Sequence, residues 1–80
     1  MYSIEFYDHL APDDSDPFAF ICSDARPMVG DDVYILIERG NLVKGCVTKV
    51  EVWYDCENFN THGHKYGETR NLAVWVKKYA

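Results

Sequence analysis

The sequence predicts an all-β domain, a small five-stranded antiparallel barrel. Three observations predict it. Five segments place apolar residues at every second position, the period of a strand with one buried face. Clusters of Pro, Gly, Asp and Asn separate these segments. No segment sustains a 3.6-residue apolar period between convincing helix caps.

In residues 2–7, Tyr2, Ile4 and Phe6 alternate with Ser3, Glu5 and Tyr7, a half-buried strand. The stretch APDDSDP, residues 11–17, holds two prolines and three aspartates and reads as a turn or loop. Residues 18–22, FAFIC, form a short strand with Phe18, Phe20 and Cys22 on one side. A short helix with Pro17 in its first turn competes here, and the alternation favours the strand. Residues 23–31 break the pattern with Pro27 and Gly30. The strongest strand is 31–38, where Val33, Ile35 and Ile37 face one way and Tyr34 and Leu36 the other. The tripeptide at 39–41 forms a hairpin turn in which Gly40 or Asn41 takes positive φ. Residues 42–55 are long for one strand, and Gly45 predicts a bulge or bend. Past that bend, Cys46, Thr48, Val50, Val52 and Tyr54 share one face; Val47, Lys49, Glu51 and Trp53 share the other. In the last strand, 71–79, Leu72, Val74 and Val76 oppose Ala73, Trp75, Lys77 and Tyr79.

Eighty residues leave room for one domain, spanning 1–80. A hydrophobic share of 48% places the chain among globular proteins. The net charge of −5, with Lys and Arg scattered, argues against direct nucleic-acid binding, which needs clustered bases. An acidic surface suits a basic protein surface, or serves only to keep a small domain soluble. MYSIEFYDHL has no basic segment followed by a long apolar stretch, and no apolar run approaches a membrane span. A cytoplasmic protein without a membrane partner is therefore expected, with Cys22, Cys46 and Cys56 as thiols.

Residues 29–50 resemble the opening hairpin of small SH3-like barrels, including the KOW and Tudor groups. Gly30, Asp31, Val33, Ile35, Gly45, Val47 and Val50 fall on that group's pattern of Gly-Asp-x-Val-x-Ile, a turn, and Gly-x-Val-x-x-Val. The resemblance implies a barrel whose second strand bends at a glycine to serve both halves. It implies no activity: the nucleic-acid-binding members are basic, this chain is acidic, and no spacing identifies an aromatic cage.

Two regions are candidates for function. The face opposite the expected core carries Tyr34, Leu36, Trp53, Trp75 and Tyr79. Either the N-terminal strand and loop cover these groups, or they meet a partner, where Trp and Tyr dominate binding energy. The second region is CENFNTHGHKYGETRN, residues 56–71. It offers Phe59, His62, His64, Tyr66 and Arg70 for stacking and hydrogen bonding, or is only a long connection. Cys46, Cys56, His62 and His64 supply zinc-binding atoms at spacings that match no compact site, so no metal or other cofactor is expected. Cys56 beside His62 or His64 lacks an orienting third group, so no enzyme is expected. Asp13, Asp14 and Asp16 form an acidic patch without the glycine and terminal glutamate of a calcium loop.

These features predict a non-enzymatic binding protein that docks on a larger protein. In size and acidity it is similar to small phage-encoded inhibitors of host machinery, anti-CRISPR proteins among them; such a protein works in the host cytoplasm. The rivals are a small-ligand or nucleotide-binding homo-oligomer, with Trp53, Trp75 or Tyr66 stacking a base, and a Cys/His metal-binding protein.

Overall fold

The computed structural model describes residues 1–38, 40–54 and 70–79, the side chain of Arg70 excepted. It is all-β among those residues. Five strands form one sheet: β1 (Tyr2–Asp8), β2 (Ala19–Ser23), β3 (Asp32–Ile37), β4 (Asn41–Tyr54) and β5 (Arg70–Lys78). Their order is β2-β1-β5-β4-β3. The sheet curls into a nearly closed barrel, and its two edges, β2 and β3, wall the same cavity with Ile4 and Phe6 at its base.

One pair departs from the expected antiparallel barrel. β1 and β5 run parallel, from Tyr2↔Arg70 to Asp8↔Val76. The remaining pairs, β1–β2, β3–β4 and β4–β5, are antiparallel. A parallel pair needs a long connection, and here the rest of the chain supplies it. The first and last strands thereby close the middle of the sheet.

The inner face holds Ile4 and Phe6 of β1, Ile35 of β3, Val47 of β4, and Leu72, Val74 and Val76 of β5, all buried. Tyr2, Val33, Val50 and Val52 pack against them. Burying each such side chain contributes roughly 1.5–3 kcal/mol. The expected core faces of β1, β3 and β5 are thus the observed ones.

Two other faces differ. In β2 the register Ile4↔Ile21 and Phe6↔Ala19 puts Ala19 and Ile21 on the inner side, Ile21 still 42% exposed at the sheet edge, and Phe20 and Cys22 on the outer side. Phe18 still packs on the core, but from just before the strand: its N–H donates to the Phe6 carbonyl (2.8 Å), and the ring centroids lie 6.3 Å apart. In β4 the bulge falls between Val47 and Lys49, three residues beyond Gly45. Val47 therefore joins Val50 and Val52 inside. Cys46 pairs across from Asp32 and Lys77 on the outer face, half-buried. Gly45 has a different task. It pairs with Val33 on one side and Lys78 on the other, where β5 approaches so closely that a side chain would overlap it. At the β3–β4 turn Gly40 takes φ 79°, the left-handed conformation a tight hairpin requires.

Candidate functional site

The outer face of β1, β5 and β4 is ordered by register into three cross-strand rows. Ser3, Asn71 and Trp53 form the first, Glu5, Ala73 and Glu51 the second, and Tyr7, Trp75 and Lys49 the third. Side chains stand out from a sheet on alternate residues, so these nine share one surface. Ala73 at the centre is the smallest side chain of the nine. It is buried, and larger side chains surround it. A cleft of about 360 Å³ opens over it, lined by Glu5, Tyr7, Glu51, Trp53 and Trp75, with Pro12 and Asp13 of the loop after β1 adding a wall.

The walls built by Tyr7, Trp75, Glu5 and Glu51 are held in place by mutual contacts. Tyr7 stacks on Trp75, with centroids 5.2 Å apart and planes 21° off parallel. The Tyr7 hydroxyl donates to Glu5 Oε1 (3.0 Å). Burial, then that bond and the nearby charges of Glu5 and Asp16, raise the Tyr7 pKa above its ordinary value. On the β4 side, Lys49 Nζ lies 4.7 Å from the Trp75 ring centroid and 2.9 Å from Glu51 Oε2. The cleft thus combines aromatic faces with the carboxylates of Glu5, Asp13 and Glu51, and among the described residues neither Lys nor Arg lines it.

The predicted site residues separate into groups. Trp53 and Trp75 belong to the cleft, Trp53 at 60% exposure and Trp75 half-buried under Tyr7. Tyr34, Leu36 and Tyr79 lie toward the other end of the long β4, exposed at 67%, 69% and 53%. There the Tyr79 hydroxyl donates to Asp32 Oδ1, which with burial pushes its pKa up to about 12. Lys44 Nζ stands 6.0 Å from the Tyr34 ring centroid. The expected stripe is therefore two clusters, and of their rings the N-terminal strand covers only Trp75, through Tyr7. Of the acidic patch, Asp13 borders the cleft, while Asp14 and Asp16 are exposed beside it. Phe59, His62, His64 and Tyr66, together with Cys56, lie outside the described residues; Arg70 is placed by its backbone, opposite Tyr2 and Tyr54.

Sequence reasoning misses Glu5, Tyr7, Glu51 and Ala73 as site residues. The one sequence signal is a lone alanine among Leu, Val and Trp in β5; its neighbours follow only from the register. Among the described residues no group of three His, Cys, Asp or Glu is arranged to hold a metal ion. Among them, too, no helix is long and apolar enough to cross a membrane. Comparison of the chain with protein-family models, with curated proteins and with solved structures finds no match.

Proposed function

We propose that this chain is a non-enzymatic binding protein that docks on a larger protein through its outer face. The observation that carries this is the exposure of Tyr34, Leu36, Trp53 and Tyr79, each more than half accessible and none of them part of the core cluster among the described residues. Exposure of large apolar and aromatic groups to water is unfavourable, and their burial in an interface lowers the free energy. The net charge of −5 favours a partner with a basic surface. Taken one step further, a small acidic protein of this kind acts as an inhibitor, of the phage-encoded anti-CRISPR type, that occludes a site on host machinery. The cleft disfavours a nucleotide: Glu5, Asp13 and Glu51 would repel phosphate, and Lys49 is already committed to Glu51 and Trp75.

Affinity capture with the tagged chain, followed by a binding isotherm with the purified partner, tests the proposal. Trp53→Ala and Tyr34→Ala are each expected to stay folded, and at least one to weaken the partner by tenfold or more, about 1.4 kcal/mol. Two folded variants that keep full affinity would remove the outer face as the docking surface.

A further inference from the structure

The cleft over Ala73 has a specific chemistry. We propose that it receives one organic cation, the ammonium or guanidinium end of a basic side chain carried by the docking partner, an assignment that rests on the docking role of the outer face.

Glu5 and Glu51 flank Ala73 in a single row across three strands. Two inter-strand spacings place their Cα atoms about 10 Å apart, and both side chains line the cleft between them, a width that one cationic group spans. Trp53 stands on one side of this row and the Tyr7–Trp75 stack on the other. Indole faces attract cations, and aliphatic stems pack along them. The chain shows the same chemistry one row away, where Lys49 sits over Trp75 and pairs with Glu51. Among the described residues, no Lys or Arg pairs with Glu5 or Asp13. Glu51 pairs with Lys49 and Glu5 accepts the Tyr7 hydroxyl, which still leaves acids in excess around the depression, and a bound cation offsets that excess. An uncharged apolar ligand would desolvate the carboxylates without offering them a new partner.

The test is a two-dimensional amide and indole NMR titration at fixed ionic strength. The probes are n-butylamine as a lysine mimic, n-propylguanidine as an arginine mimic and n-butanol as the uncharged control. At least one cation is expected to shift the Trp53 indole and the Glu5 and Ala73 amides saturably, and butanol is not. The double variant Glu5→Gln/Glu51→Gln should weaken the cation about tenfold or more, since a charge-assisted bond is lost on each side. Ala73→Leu fills the depression while keeping every charge, and should abolish the shifts; unchanged signals from the core valines show that each variant is folded. Equal shifts with butanol, shifts spread over Asp14, Asp16 and Asp24, or variants that bind as the parent does would each overturn the inference. Release of the captured partner by saturating mimic places the partner's side chain in the cleft. A partner that stays bound under saturating mimic, and to the double variant, overturns the cation's protein source while leaving outer-face docking intact.

Discussion

Gly45→Ala tests whether β5 and β4 approach each other as closely as the register requires. A Cβ at residue 45 would overlap Val76 Cγ1 and lie 2.7 Å from the Lys77 carbonyl oxygen. Favourable contacts begin near 3.5 Å. Val76 is fully buried, and Lys77 O is backbone, so neither neighbour yields by rotating a free side chain. Overpacking of this kind costs about 1–3 kcal/mol. Alanine's smaller unfolded-state entropy returns roughly 0.4–1 kcal/mol. The net expectation is a loss of about 1–2 kcal/mol. An 80-residue domain has about 4–12 kcal/mol in all, at the usual stability per residue. Tm should therefore fall by roughly 4–16 °C. Urea unfolding followed by tryptophan fluorescence, with thermal circular dichroism, gives both numbers. Val76→Ala removes one of the two obstacles, so Gly45→Ala should cost at least about 0.5 kcal/mol less in that background. A single variant within about 0.5 kcal/mol of the parent, or strict additivity with Val76→Ala, would refute the close approach.

Three further outcomes are expected. Asp8 accepts the Leu10 N–H (3.0 Å), with Lys78 Nζ at 3.6 Å and His9 Nδ1 at 3.3 Å; the Leu10 bond above all lowers its pKa. Its contribution to stability is therefore present above the ordinary value of 3.8 and is lost as pH falls below it, a dependence Asp8→Asn should remove in acid unfolding curves. Tyr79, its pKa pushed up to about 12 by Asp32, should ionise last or nearly so in an ultraviolet titration. The linked stability is full below pH 10 and lost as pH rises from there through 12, and Asp32→Asn should bring the midpoint down. Thr48→Ala should cost about 0.5–1.5 kcal/mol in urea, because the Thr48 hydroxyl donates to the Trp75 carbonyl (3.3 Å) across the interrupted ladder.

Much of the fold was legible because alternation is a local signal. Tyr2, Ile4 and Phe6, then Val33, Ile35 and Ile37, then Leu72, Val74 and Val76 each name a buried face without reference to any other strand. Where a face depends on a partner, the alternation misled. Phe18, Phe20 and Cys22 look like one side of a strand, yet Phe18 lies ahead of β2 and packs on the core, while the pairing of Ile21 with Ile4 turns Phe20 and Cys22 outward. The parallel β1–β5 pair is a contact between the two ends of the chain, and nothing local encodes it. The cleft inherits that difficulty. Trp53 and Trp75 stand out as large rings on an outer face, but Glu5 and Tyr7 join them only through the parallel pair. Ala73 signifies a depression only once its neighbours on both sides are known.

The bulge in β4 ties the core to the cleft. Strict alternation from Val47 would carry residues 49, 51 and 53 to the inner face and residues 50 and 52 to solvent. Lys49, Glu51 and Trp53 would then crowd the barrel, and Val50 and Val52 would leave it. The extra residue at Thr48 shifts the count by one, so Val47, Val50 and Val52 all face inward and Lys49, Glu51 and Trp53 all face out. The apolar spacing of three between Val47 and Val50, in a strand otherwise of period two, is the sequence mark of that shift. Hydrophobic burial on the inside and the acid–aromatic surface on the outside thus have one cause. The barrel can satisfy its core in β4 only with the register that also sets Glu51 and Trp53 beside Ala73, opposite Glu5 and next to the Tyr7–Trp75 stack.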